Sequence, residues 1–284
     1  MKKSKIILYL AYGNHSNRLF QSIHFEAFCK EYNIDFINST FSDMQTYYLP
    51  MYNADGEGRL SFILQKFPLL LKMFRLVLKV KKKLNLINFI SFNDEDENNI
   101  EKLLTLLSPP RCILVGGWYF RDHELTEKYQ DHFIFKYSLK EKYFLNNLLL
   151  NKISELKESN KVVVGIHIRR GDYKSHMEGK YYFADNVYLN YMKKIENEIE
   201  IKNNKKCTFI IFSNENVSIP ESEYTYISKN EWYIDHILMS KCDLLLGPPS
   251  TFTMWASYIG KVKYFHIESD NDNIDLDSFK YCIG

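Results

Sequence analysis

Residues 167–172 read His-Ile-Arg-Arg-Gly-Asp. Two adjacent guanidiniums suit an anion, and phosphate takes their planar fork better than a point charge. Side chains alternate along an extended chain, so His167 and Arg169 face one way and Arg170 the other. Taken alone, Arg169, Arg170 and Asp172 would equally well form a surface salt bridge. Two further clusters change the weighting. One is Ser213-Asn214-Glu215; the other is Gly247-Pro248-Pro249-Ser250-Thr251-Phe252. Proline is tolerated at a helix start because its missing N–H would be unpaired there. Ser250 and Thr251 then set hydroxyls beside free backbone N–H groups at the positive end of a helix, an arrangement that binds phosphate; Ser250 alone would also serve as a plain cap. An arginine pair and a helix N-terminus at neighbouring strand ends describe a diphosphate clamp. Asp235 either accepts hydrogen bonds from a purine edge or caps its own helix.

These groups need a scaffold. Residues 162–168, Val-Val-Val-Gly-Ile-His-Ile, read as a buried parallel strand, apolar on both faces. In open α/β sheets ligands bind beyond the carboxyl ends of the strands. A loop through Gly179 follows, then a helix over 186–201, strand 207–212, helix 231–241, strand 243–246, helix 250–258 and strand 262–266. This alternation predicts a parallel sheet with helices on both faces.

The first half is less regular. Strand 6–10 and a loop over 11–16 precede a helix over 17–32, whose apolar face carries Leu19, Phe20, Ile23, Phe25 and Phe28. That places Asn17 and Arg18 at a helix N-terminus, where Asn17 is a phosphate contact or simply the cap. Strand 34–37 comes next, then a loop over 38–59 with Gly56 and Gly58, and one or two helices over 60–83 broken near Pro68. A helix over 100–107 stops at Pro109-Pro110. Strand 112–115 leads into Gly116-Gly117-Trp118-Tyr119-Phe120, whose rings either floor a sugar site or pack a turn. A helix over 137–160 contains the expected division between residues 1–155 and 156–284.

The 284 residues suffice for one large or two ordinary domains, and the net charge of +2 argues against nucleic acid as a partner. Five scattered cysteines without metal spacing read as reduced thiols of a cytosolic protein. The apolar run after residues 1–5 is too short for a signal peptide and reads as a first strand. No uncharged apolar run reaches membrane-spanning length. Residues 72–83, with Lys72, Lys79, Lys81, Lys82 and Lys83, are basic and apolar. They either lie on an anionic membrane surface or pack as a helix whose lysines reach out to water. The acidic run 93–97 reads as a solvated turn and helix start rather than a metal site.

His-Ile-Arg-Arg-Gly-Asp at 167–172 resembles the H-x-R-R-x-D motif of the α-1,2-fucosyltransferases, glycosyltransferase family 11, and of their α-1,6 and protein O-fucosyltransferase relatives. Asn17-Arg18-Leu19-Phe20-Gln21 is similar to the family's G-N-Q-L-F-Q segment, Phe212-Ser213-Asn214-Glu215 to F-S-N-D, and Ser250-Thr251-Phe252-Thr253-Met254-Trp255-Ala256 to S-T-F-S-W-W-A. Order and spacing agree from residue 6 to about 267. The resemblance implies a GT-B-like α/β fold, two Rossmann-like domains facing across a cleft, the C-terminal one holding GDP-fucose. It implies inverting transfer to a glycan hydroxyl with no metal or other cofactor. Arg169 would hold the β-phosphate with Arg170 in support, and His167 would contact the nucleoside. Asn214 belongs to the donor side; Ser250, Thr251 and Phe252 would line the diphosphate. Asp235 matches a guanine-binding aspartate of the relatives, and Asn17 would face the reaction centre. Asp172 and Glu178 are candidate bases. Ser16, Arg18 and Met254 replace the family's usual Gly, Gln and Trp; these changes bear on donor sugar and linkage more than on GDP binding. The implied acceptor is a surface or lipid-linked oligosaccharide in a bacterial cytoplasm. Transfer from another GDP-linked 6-deoxy sugar or heptose, or non-catalytic binding of GDP or glycan, are the alternatives.

Overall fold

The computed structural model describes residues 3–49, 59–96 and 98–284. Met1 and Lys2 of the amino-terminal run, Gly56 and Gly58 of the loop expected over 38–59, and Glu97 of the acidic run lie outside the described residues. The chain divides into two compact units, Met1–Lys140 with Ile283–Gly284, and Glu141–Cys282.

The first unit runs β1 (Lys5–Leu8), α1 (His15–Glu31), β2 (Asp35–Asn38), α2 (Arg59–Lys66), α3 (Pro68–Lys83), β3 (Asn88–Phe92), α4 (Asn99–Leu106), β4 (Cys112–Gly117), α5 (His123–Lys128) and α6 (Gln130–Lys136). Its sheet is parallel, in the order β2-β1-β4-β3. Strand alternation divides the core. Ile6, Leu8, Ile113 and Val115 pack with Phe25 and Phe28 of α1 and Leu103 of α4. Ile7, Ile37 and Leu114 pack with Leu64 of α2 and Leu71 and Leu78 of α3.

The second unit continues α7 (Leu148–Glu158), β5 (Val162–Ile168), α8 (Asp185–Asn203), β6 (Cys207–Ser213), β7 (Thr225–Ile227), α9 (Trp232–Ser240), β8 (Leu244–Gly247), α10 (Thr251–Gly260) and β9 (Lys263–His266). Its sheet is parallel, in the order β7-β6-β5-β8-β9. Val164, Ile166 and Ile168 of β5 pack with Tyr188, Tyr191 and Ile195 of α8. The chain steps outward from β5 to β7, then returns to the other side of β5 for β8 and β9. That reversal leaves a crevice at the carboxyl ends of β5 and β8. A Cβ on Gly247 would lie 2.6 Å from the His167 carbonyl oxygen, so the two strands approach this closely only with glycine there.

Several expectations need correction. The helix α1 starts at His15 with Asn14 as its N-cap residue, so Asn17 lies in the first turn and is not the cap. The helix expected over 137–160 is a short turn of 3-10 helix at Glu141–Tyr143 followed by α7. Asn147 separates them, because its Oδ1 accepts the Leu150 N–H at 3.0 Å and so starts a new helix. The compact units divide at 140/141 rather than 155/156, and α7 packs against β5 and α9 of the second unit. Strand β3, like the three-residue β7, has no counterpart among the elements expected from the sequence. It is an edge strand of which only Phe92 is buried, and it follows the basic end of α3, Lys81 to Lys83, across a turn in which Asn85 takes a φ of 53°.

Candidate functional site

Alternation along β5 separates the two arginines. Arg170 continues the row of Val164, Ile166 and Ile168 towards α8 and is only 6% exposed. Its Nη1 donates to the Phe183 carbonyl and its Nη2 to Asp185 Oδ1 at the start of α8. Arg169 continues the row of His167 and keeps a side chain 23% exposed, with Nη2 2.8 Å from Asp172 Oδ1. Its guanidinium lies 5.5 Å from the centre of the Tyr173 ring, and the Tyr173 hydroxyl donates to the Pro249 carbonyl. Tyr173 therefore joins the loop carrying Arg169 to the loop that enters α10 at Ser250. Asn214, at the end of β6, accepts the Arg170 backbone N–H on its Oδ1 at 2.9 Å, which adds the third strand end to the cluster.

Ser250 is the N-cap of α10, its Oγ accepting the Phe252 N–H at 3.2 Å. Thr251 and Phe252 are half-buried in the first turn. His167 Nδ1 lies 2.7 Å from Thr253 Oγ1, and the His167 ring is 5.1 Å from that of Phe252. His236 of α9 packs against Phe252 at 4.0 Å. Burial, with Arg169 and His266 nearby, pushes the His167 pKa down to about 3. The ring is thus neutral at physiological pH, a hydrogen-bonding wall without charge of its own.

Asp235 is the fourth residue of α9, whose cap position is Glu231, so it does not cap that helix. Its carboxylate is buried and accepts from Ser228 Oγ at 2.5 Å. Ser228 Oγ accepts from Asn230 Nδ2 at 2.9 Å, and Asn230 Oδ1 accepts from Asn147 Nδ2 at 2.8 Å. Burial pushes the Asp235 pKa up to about 7; the Ser228 hydroxyl opposes this and Glu231 adds to it. A buried carboxylate with acceptor capacity to spare is suited to paired N–H donors of a ligand.

The remaining site candidates are less engaged. Asp172 is exposed and held by Arg169. Glu178 is exposed in the turn His176–Gly179, with a φ of 59°. No hydrogen bond or ion pair among the described residues ties it to the cluster.

In the first unit, Asn17 stands over the loop before α1: a Cβ on Gly13, whose φ is +62°, would lie 2.1 Å from Asn17 Nδ2. Arg18 makes a two-pronged ion pair with Asp43, one arm at 2.8 Å, and also bonds the Thr40 carbonyl. Gln21 bridges the ends of β1 and β4. It donates to the carbonyls of Leu10 (3.1 Å) and Gly117 (2.8 Å) and accepts from the Tyr12 N–H (3.1 Å). Of the aromatic run, Phe120 is core, stacked on Phe25 at 4.5 Å. Trp118 stacks on Tyr12 at 5.1 Å, and the Arg121 guanidinium lies 3.5 Å from its ring.

The sequence profile of glycosyl transferase family 11 matches residues 7–275. The chain belongs to glycosyl transferase family 11. The protein is a glycosyltransferase, and solved structures show its fold. An Arabidopsis thaliana FUT1 mutant in complex with GDP aligns at a TM-score of 0.57 and 10% identity, over 99% of this chain and 74% of that one. Fucosyltransferase NodZ from Bradyrhizobium aligns at 0.55 and 14% identity, over 94% and 97%. A crystal of NodZ α-1,6-fucosyltransferase soaked with GDP-fucose aligns at 0.51 and 14%, over 94% and 96%. These likenesses establish a GT-B-like α/β fold built on parallel sheets. No curated protein sequence matches the chain.

In this transferase the described residues contain no group of three or more His, Cys, Asp or Glu placed to hold a metal ion. No described helix is long and apolar enough to cross a membrane. Four residues position the cluster without a role read from the sequence: Tyr173, Asp185, Thr253 and His236. Tyr173 directly follows the arginine motif, and Thr253 lies one helical turn beyond Ser250, so both were within reach of periodicity. Asp185 carries only the signal of an ordinary acidic helix start. His236 carries none, because its partner Phe252 belongs to another helix.

Proposed function

We propose that this family 11 transferase moves fucose from GDP-fucose to a glycan hydroxyl, with inversion, through an α-1,2 linkage. The observation that carries the reading is the joining of Arg169 and the Ser250 helix start through Tyr173. A guanidinium and the positive end of a helix then meet at one crevice, at the β5–β8 reversal. The FUT1 complex with GDP and the GDP-fucose soak of NodZ support the donor class.

Departure of GDP builds negative charge on the β-phosphate. Arg169 and the Ser250 hydroxyl at the positive end of α10 stabilise that charge with little reorganisation. In this scheme no step calls on a metal ion. Arg170, with both terminal nitrogens engaged, positions the end of β5 rather than touching the phosphate. His167 and Phe252 wall the nucleoside diphosphate, Asn214 holds the turn after β5, and Asp235 accepts from the guanine edge. The acceptor attacks an oxocarbenium-like sugar from the face opposite GDP. When Arg169 turns to phosphate, Asp172 loses its partner and becomes free to take the acceptor proton; Glu178 is the other carboxylate of that loop. Asn17 serves the acceptor side. For the acceptor we propose a surface or lipid-linked oligosaccharide in a bacterial cytoplasm.

Purified protein incubated with an oligosaccharide array and a panel of GDP-sugars, with products read by mass spectrometry, tests this. Transfer from GDP-fucose with an α-1,2 product is the expected result. Transfer only from another GDP-6-deoxyhexose or a GDP-heptose would replace the donor. GDP binding without transfer to any acceptor would remove catalysis.

A further inference from the structure

The helix α3 has two apolar faces. At 100° per residue, Leu71 and Leu78 point inward, with Phe74 beside them, and pack on the sheet. Arg75 and Lys82 lie on the same side: Arg75 Nη1 donates to the Ser39 carbonyl at 3.0 Å, and the Lys82 ammonium sits 3.6 Å from the centre of the Phe89 ring. The opposite side carries Leu69, Met73, Leu76, Val77 and Val80, which are 70, 57, 61, 52 and 49% exposed. Exposed lysines flank that stripe, Lys72, Lys79 and Lys83 along one edge and Lys81 along the other. A helix of 16 residues is ~24 Å long, so this is a continuous apolar ridge between a row of three lysines and Lys81.

Charge decides what covers it. Residues 59–87 hold eight Lys and Arg and no Asp or Glu, in a chain whose net charge is only +2. Two copies meeting ridge to ridge would bring their lysine rows together with no acid on the segment to offset them. A surface that is apolar beneath and anionic above matches both features: the ridge enters the acyl boundary while the lysines reach the headgroups. We propose that α3 docks the protein on the surface of an anionic lipid bilayer, lying in the interface without crossing it. The proposal is independent of the donor assignment, since α3 carries none of the residues given to GDP.

Sedimentation of the full chain with phosphatidylcholine vesicles, and with vesicles containing roughly a third phosphatidylglycerol, tests it. Binding to the anionic vesicles only, weakening with added salt, is expected. Each lysine at an anionic surface contributes about five-fold, so the triple variant K72E/K79E/K83E should lose at least ~100-fold in partition. L76D/V80D should lose a similar factor by removing buried apolar area. Both variants replace exposed side chains and should keep the melting temperature and GDP affinity of the parent. No binding to anionic vesicles at low salt, or binding unchanged in both variants, overturns the proposal. So does a dimer in solution that L76D/V80D converts to monomer.

Discussion

The carboxyl ends of the two sheets are built alike and lined differently. In the second unit the β5–β8 crevice is lined by Arg169, a capped helix start and a neutral histidine. In the first unit the gap between β1 and β4 is closed by Gln21, which takes hydrogen bonds from or gives them to both strand ends. Trp118, Tyr12 and Arg121 stack beyond it. Parallel topology supplies a crevice in each case. Side-chain chemistry makes one suited to anions and leaves the other an amide-sealed end with an aromatic platform, so the fold alone assigns neither role.

The sharpest way to break this contrast lies within one motif. Arg170→Ala removes the donor from Asp185 Oδ1 and from the Phe183 carbonyl, leaving Asp185 only the Ser218 N–H, and should cost ~3–5 kcal/mol in urea unfolding. Arg169→Ala should leave unfolding nearly unchanged and lower transfer by ~10²–10³. Equal stability losses in the two variants would dissolve the division between a positioning and a phosphate-facing arginine.

Asp235 sharpens the donor side. Its folded carboxyl holds a proton up to about pH 7, against an ordinary value of 3.8. The group therefore removes stability as pH rises between those values, by about 1.4 kcal/mol per pH unit, and the loss levels off above 7. On the proposed guanine contact GDP binding should run the other way, because N–H donors of the base need the carboxylate. Calorimetry should show affinity rising up to about ten-fold per unit towards pH 7. Asp235→Asn should lower affinity at pH 8 by ~10–100-fold and flatten that profile. A steep profile surviving in the variant would move the guanine contact elsewhere.

The first unit gives smaller effects. Gln21→Ala leaves three backbone groups at the ends of β1 and β4 without their partner and should cost ~1–3 kcal/mol, with GDP affinity unchanged. Trp118→Ala should raise the KM for acceptor about five-fold and leave GDP affinity alone, as expected of a ring that covers a sugar face. An effect of either variant on GDP affinity would mean that the two crevices do not act separately.

Legibility differed between the halves for physical reasons. Strand 162–168 was readable to the residue because a strand buried on both faces is a continuous apolar run with sharp ends. The starts of α8, β6, α9, β8, α10 and β9 fall within a residue of the sequence reading, marked by Gly, Pro and Ser. β3, β7 and the pair α5 and α6 have no counterpart in the sequence reading, since edge strands and short helices bury too little to leave a period. Asn17 and Asp235 were placed near helix starts, yet in both cases another residue occupies the cap position. Local propensity marks that a cap is near, while packing of the helix on its sheet decides the register.

The sequence by itself determined the parallel second sheet, the family, and the residue types that gather at three strand ends, because alternation and turn chemistry are local properties of the chain. Only the tertiary structure decided that Arg169 is left open while Arg170 is spent on Asp185, that Tyr173 joins two loops, and that α3 turns a second apolar face outward. Each of these depends on which neighbour comes from a distant part of the chain, and burial, ion pairing and exposure follow from that neighbour and not from the residue alone.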